Sequence, residues 1–247
     1  MFSADKIKKL TGLKDVTVLE KTDSTNTFLK NCAETKKHGA LVIAESQTKG
    51  RGRMDRTFVS HKNGLYMSIL LKPKNNADIT KVTAMAAVAV LRTVKKFTQK
   101  EATIKWVNDI FVCGKKVSGI LTEGIFSGSN LEYLVLGIGV NLVKPQNGLD
   151  ESIKDIAGYL FEKDTGKANE FVAEIINQFF NIFSGEDYVS EYRANSLLTG
   201  KNITYIKDGI SYQGRVLDID ENCNLVVMNK NGKTNTLFSG EITINGF

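Results

Sequence analysis

The sequence predicts an α+β fold in two unequal parts. A strong helical pattern at 78–98 is followed by a dense run of strands at 103–142, and a train of short strands begins after Leu198. The first part opens with VTVLE (16–20), which alternates like a short strand. Asp23, Ser24 and Thr25 then offer helix caps, and Phe28, Leu29, Cys32 and Ala33 fall on one helical face. LVIAES (41–46) and LYMSILLK (65–72) read as buried strands, separated by the polar stretch QTKGRGRMDRTFVSHKNG. Over 78–98, Ile79, Val82, Ala86, Val90, Val94 and Phe97 recur at three- and four-residue spacing. TIKWV, DIFVC, KVSGILTEGIF and LEYLVLGIGVNL read as strands joined by Gly or Asn turns. Phe171, Ile175, Phe179 and Ile182 place a helix at 168–183, and a shorter one is expected at 187–197. After Leu198, NITYIKDG, SYQGRVLDID, NLVVMNKNG, KTNTLFSG and EITI are evenly spaced, as in a small barrel. A unit of about fifty residues is marginal alone, so it is expected to rest on the larger part. The predicted domains are 1–198 and 199–247.

Composition narrows the function classes. Ordinary hydrophobic and charged contents of 42% and 24% exclude a disordered chain. No uncharged apolar run reaches the roughly 18 residues that a membrane helix needs, and the first residues lack the apolar stretch of a secretory signal. Cys32, Cys113 and Cys223 form no CxxC pair, and two histidines are too few for a histidine metal site. A reduced, cytoplasmic protein without membrane attachment is expected. Lys and Arg total 33 against 27 acids, and 33 − 27 = +6, a mild excess that suits an anionic ligand.

Four segments carry polar residues that folding alone does not require. Asp23-Ser24-Thr25-Asn26, read singly, is a helix cap. Its hydroxyl and amide groups also suit a polar head group held in an apolar pocket. Gln47-Thr48-Lys49-Gly50-Arg51-Gly52-Arg53-Met54-Asp55-Arg56 alternates glycine with arginine. Guanidinium forks match carboxylate and phosphate oxygens, and glycine lets backbone approach an anion. It is neither a GxxxxGK[ST] loop nor a complete GxGxxG. Lys105-Trp106-Val107-Asn108-Asp109 is followed by Gly114-Lys115-Lys116-Val117-Ser118-Gly119-Ile120, with Asp109 set among apolar residues where it needs a partner. Gly137-Ile138-Gly139-Val140-Asn141 places two glycines inside an apolar strand, the mark of a bulge or of close approach by a ligand or another backbone.

In this order the segments resemble the biotin–protein ligases, from about residue 16 to the end of the chain. The Arg-Gly loop and the KWxND…KxxGIL pair carry the resemblance, and the closing SGEITI is similar to that family's C-terminal domain. The resemblance implies a mixed sheet with helices on one side, of the class II synthetase-like kind, followed by a small SH3-like β-barrel. It implies attack of the biotin carboxylate on the α-phosphorus of ATP, with Mg2+. Biotin then passes from biotinyl-5′-AMP to a lysine of a biotin carboxyl carrier protein, such as an acetyl-CoA carboxylase subunit.

Residue by residue, Ser24, Thr25, Asn26, Gln47, Gly50 and Gly52 match biotin-binding positions. Gly119 matches the place where room is left for the bicyclic ring, and Tyr66 stands where a side chain walls the pocket. Arg51, Arg53 and Lys116 match the catalytic cations, which also contact biotin, with Lys116 bridging the biotin carboxyl and the α-phosphate. Arg53, Arg56, Phe58, Asn108, Asp109 and Asn141 match the adenylate-facing set, and Asp109 is the metal candidate. Asp55, Val107 and Phe58 depart from the commoner glycine, proline and tryptophan, and weaker adenylate retention is expected from Phe58. With about twenty residues before Asp23, no three-helix DNA-binding domain, no DNA binding and no repressor function are expected. The chain is expected to be a monomer or weak homodimer. A lipoate or octanoate ligase is the nearest alternative. An RNA- or DNA-binding protein is a distant one, because aromatic residues are not interleaved with the basic ones.

Overall fold

The computed structural model describes residues 2–54, 56–73, 78–146, 148–207, 209–238, 240 and 242–244. Asp55 lies outside them, as do Ser239 and Glu241 of the closing motif. Seven strands build the main sheet: β1 (Val16–Leu19), β2 (Leu41–Ala44), β3 (Leu65–Leu71), β4 (Ala102–Lys105), β5 (Asp109–Val112), β6 (Lys115–Ser127) and β7 (Asn130–Val140). Their order across the sheet is β1-β2-β3-β7-β6-β5-β4. Only β1 and β2 run parallel; the other neighbours are antiparallel. The strand expected over 103–107 stops at Lys105, because Lys105 pairs with Asp109 and leaves residues 106–108 to make the turn.

Among the described residues, four helices share one face of this sheet. They are α1 (Ala4–Thr11), α3 (Ile79–Thr98), α4 (Ala168–Phe183) and α5 (Val189–Ala194). The Asp78 carboxylate caps α3, accepting from the Thr80 and Lys81 amides. Buried alanines at 84, 86, 87 and 89 let α3 lie close to the sheet and to α4. Helix α1 was not among the predicted helices. Ser3 caps its start and Gly12 closes it at φ +75°, but its single buried residue, Ile7, leaves no apolar stripe to read. The short α2 (Thr25–Cys32) lies across the other face, where Leu29 and Ala33 join Val42, Leu70 and Val135.

The side-chain period of two assigns those faces. On β3, Leu65, Met67, Ile69 and Leu71 enter the helix-covered core, while Leu70 packs under α2. Tyr66 and Ser68 share the parity of Leu70 and so open onto the same side as α2.

A second, antiparallel sheet holds β8 (Asn202–Lys207), β9 (Ile210–Ile219), β10 (Leu225–Asn229), β11 (Thr234–Leu237) and β12 (Ile242–Ile244), in the order β11-β10-β9-β8-β12. Its apolar residues Ile203, Val216, Leu225 and Val227 belong to the same buried cluster as the main sheet. Trp106 Nε1 donates to the Cys223 carbonyl (2.8 Å), and Arg193 Nε donates to the Ile219 carbonyl (2.6 Å). The Trp106 turn is thereby held between the two sheets. Among the described residues, no helix is long and apolar enough to cross a membrane.

Candidate active site

A cavity of about 260 Å³ opens on the α2 side of the sheet, between the Arg-Gly loop, the start of α2 and the inner ends of β5, β6 and β7. One end is neutral and hydrogen-bonding. Ser24 is the N-cap of α2, and Thr25 and Asn26 follow it on the first turn, all three buried. The Gln47 carboxamide oxygen accepts from the Thr25 amide (2.8 Å) and the Thr25 hydroxyl (3.2 Å), and Gln47 Nε2 donates to Ser60 Oγ (3.0 Å). Ser68, fully buried on β3, donates to Asn26 Oδ1 (2.6 Å) and sits 2.7 Å from Thr25 Oγ1. Capping and site-building therefore use the same residues. Tyr66 walls this end, its hydroxyl donating to the His61 carbonyl (2.8 Å), and burial pushes its phenol pKa well up.

The other end is cationic. Arg51, Arg53, Arg56, Lys105 and Lys116 line it, and among the described residues Asp109 is its one carboxylate. The Arg-Gly loop folds as a small hairpin: Phe58 N donates to the Gly50 carbonyl (2.9 Å) and Gly52 N to the Arg56 carbonyl (2.7 Å). Arg53 Nη1 donates to Asn108 Oδ1 (3.3 Å), whose Nδ2 donates to the Ile120 carbonyl (2.9 Å). Lys116 Nζ lies 2.7 Å from Asp109 Oδ1. The register shift between Ile110 and Phe111 pairs Phe111 with Lys116 while Asp109 pairs with Gly119, which seats the two charged groups together. Burial draws the Lys105 ammonium pKa below its ordinary value; Asp109 opposes this, and Lys116 and Arg56 reinforce it.

Glycines form the floor. A Cβ at Gly137 would lie 2.3 Å from Asn26 Oδ1, and one at Gly139 would lie 2.7 Å from the Phe58 ring. The Phe58 ring also covers Gly119, meets Tyr66 edge-on at 6.3 Å, and has Lys116 Nζ 5.8 Å from its centre. The space expected above Gly119 is thus shared with Phe58 and with the end of the Lys116 side chain. Gly50 does not line the cavity; it lies beneath the loop, where a Cβ would meet the Phe58 carbonyl oxygen at 2.2 Å.

Comparison with known proteins fits this geometry. Residues 18–141 match the biotin/lipoate A/B protein ligase family. The chain belongs to that family. It is 30% identical over 218 residues to the bifunctional ligase/repressor BirA of Bacillus subtilis, an alignment covering 83% of this chain and 66% of that protein. The chain thus spans just under two thirds of the length of that relative. Identity to a Mycobacterium tuberculosis biotin--[acetyl-CoA-carboxylase] ligase is 27% over 248 residues, covering 94% of this chain and 89% of the relative. The solved Aquifex aeolicus biotin protein ligase in complex with biotin and ATP superposes with a TM-score of 0.80 at 27% identity, covering 94% of this chain and 99% of that one.

The biotin/lipoate ligase match ends at Asn141, short of Ile156, Gly240 and Ile242, which also line the cavity. Gly240 and Ile242 bring the small sheet to its rim. Of the residues singled out from sequence, Ser24, Thr25, Asn26, Gln47, Arg51, Gly52, Arg53, Arg56, Phe58, Tyr66, Asn108, Asp109, Lys116 and Gly119 line the one cavity. Asn141 stands apart: its carboxamide donates to the Gly158 carbonyl (2.9 Å), which ties β7 to the following loop. Lys105, Gly137 and Gly139 line the cavity too; sequence assigned Lys105 no contact and read the two glycines only as a bulge or a place of close approach. The Lys105 signal was its place in the KWxND motif, and the glycine signal was the pairing of two glycines in a strand.

Proposed function

We propose that this biotin/lipoate ligase family member is a biotin–protein ligase, with residues 1–198 as its catalytic domain. The observation that carries the reading is the polarity of this cavity: neutral hydrogen-bonding groups at one end, five cations at the other. Biotin has the complementary form, with a neutral ureido ring and a carboxylate joined by an apolar chain. The ureido N–H groups and carbonyl suit Ser24, Thr25, Asn26 and Gln47. A plain fatty acid brings no N–H or carbonyl to match those groups, which selects against it.

Adenylation then requires two anions to meet. A biotin carboxylate oxygen bonds to the α-phosphorus of ATP, and pyrophosphate leaves. Negative charge builds on the phosphoryl oxygens, so preorganised cations supply most of the catalysis. Lys116 is assigned to the carboxylate and α-phosphate, Arg51 and Arg53 to the same charge, and Arg56 to the nucleotide. Asn108 is assigned to the adenylate, and Phe58 to covering it against water. In the second step the acceptor lysine amine attacks the acyl carbon and AMP departs. The acceptor is a biotin carboxyl carrier domain.

Magnesium typically keeps several waters and binds through one or two carboxylates plus substrate phosphates. The donor set fits that habit: Asp109, ion-paired with Lys116 at the cationic end of the cavity, offers one carboxylate. Asp109 would hold the ion, which neutralises triphosphate charge when bound.

The test is mass spectrometry of the protein with ATP, Mg2+ and equal biotin and lipoate, followed by a carrier domain. Biotinyl-AMP and a biotinylated carrier are expected. Lipoyl-AMP instead would move the chain to the lipoate branch. Neither adenylate from folded protein would overturn the adenylation reading.

A further inference from the structure

Glu123 on β6 and Lys30 on α2 are charged groups to which the proposed chemistry gives no role. Thr122, next to Glu123, faces α3, where it meets Thr83 Oγ1 at 2.8 Å, so Glu123 points to the cavity side. There it pairs across the sheet with Val135, an apolar residue packed under α2. An acid at such a place needs partners, and it has three. Lys30 Nζ of α2 lies 2.5 Å and Arg51 Nη1 3.2 Å from Oε1, and Asn26 Nδ2 donates to Oε2 (2.8 Å). The side chain is only 17% exposed. Burial alone would raise the Glu123 pKa, but hydrogen bonds from Lys30 and Asn26 and the charges of Lys30 and Arg51 hold it below the ordinary carboxylate range.

We propose that Glu123 is a positioning residue that docks the Arg-Gly loop, holding Arg51 at the cavity rim and coupling it through Asn26 to the hydroxyl–amide end. Asn26 makes the coupling because its carboxamide uses both ends: Oδ1 accepts from Ser68 while Nδ2 donates to Glu123. The catalytic consequence of docking rests on the ligase reading above; docking itself does not. Lys30 gives the arrangement a specific electrostatic signature. With Glu123 charged, Lys30 and Arg51 share one carboxylate oxygen. With Glu123 neutral, they become like charges facing each other and the loop is pushed off.

Hydrogen exchange of the Gly50–Met54 amides in the full, ligand-free chain tests this. Glu123→Gln should speed exchange ~10-fold, the scale of losing one charge-assisted hydrogen bond. Lys30→Met should exchange no faster than the unmodified chain, and Glu123→Gln combined with Lys30→Met should fall between. Glu123→Asp keeps the charge but draws it back from Arg51, so it should exchange at an intermediate rate, which keeps the idea testable if the Gln variant does not fold. In biotin-dependent adenylation, Glu123→Gln should lower kcat/KM for biotin ~10-fold, with part of the loss in kcat because Arg51 is displaced. Unmodified exchange in the Glu123 variants would overturn the proposal, and so would Lys30→Met matching Glu123→Gln. Faster exchange in a chain that makes no adenylate would support docking and defeat the ligase reading instead.

Discussion

The two faces of the main sheet are drawn from the same strands and differ in kind. On β7, Leu134, Leu136, Ile138 and Val140 enter the helix-covered core, whereas Gly137 and Gly139 alternate with them and floor the cavity. On β3, Leu65, Met67 and Ile69 are core residues, and Tyr66 and Ser68, alternating with them, wall or brace the site. One face is filled with large apolar side chains. The other keeps a small apolar patch under α2 and, around the cavity, combines absent side chains, hydroxyls and charges. A strand with a period of two can thus carry stability and chemistry at alternate positions, and adjacent substitutions should separate them.

Leu136→Ala should give the largest change in stability. Leu136 is fully buried between β3 and β6, and truncation there costs about 2–5 kcal/mol. Denaturant unfolding would show it, while adenylation per folded molecule should hardly move. Lys116→Ala should do the reverse. Losing one preorganised charge stabiliser slows the chemical step by about 10²–10³-fold, with biotin binding and the unfolding midpoint nearly kept. Equal losses of stability in these two variants would break the comparison.

Gly137→Ala sharpens it at the neighbouring residue. The new Cβ meets the Asn26 carboxamide, which is held by Ser68 and Glu123 and cannot simply swing away. Overpacking of this kind costs about 1–3 kcal/mol, and biotin titration should show affinity falling ~10-fold, the equivalent of about 1.4 kcal/mol.

The smallest effect expected is that of pH. The Glu123 carboxyl is held below its ordinary value of 4.5 in the folded chain, so the unfolded state binds its proton more readily. The contribution is complete at neutral pH and fades as pH falls from about 4.5 through the lower folded value. Glu123→Gln should flatten this part of an acid-unfolding curve relative to the unmodified chain.

Much of this organisation can be read from local pattern. The helices at 79–98 and 168–183 declare themselves by apolar spacing and, for α3, by the Asp78 cap. The strands of both sheets follow from alternation and glycine or asparagine turns. The cavity residues are legible in a different way, because the hydroxyl cluster, the Arg-Gly loop and the KWxND motif each place unusual polar residues beside apolar strands. Helix α1 escaped because a single buried isoleucine makes no stripe. Asn141 was grouped with the adenylate set by its motif, yet its side chain satisfies a loop carbonyl.

The sequence by itself determined most of the strands and helices, α1 excepted, and which segments carry charge and hydroxyls, since both depend on neighbours a few residues apart. Tertiary structure alone decided which charges meet. Lys30, Arg51 and Glu123 are separated by 21 and 72 residues, and Trp106 is 117 from Cys223. Their contacts arise only when β6 is seated between β5 and β7, α2 lies over the cavity face and the small sheet closes on the Trp106 turn. A residue's parity in a strand is local information. The side chain that faces it is set by register and packing, which no single segment encodes.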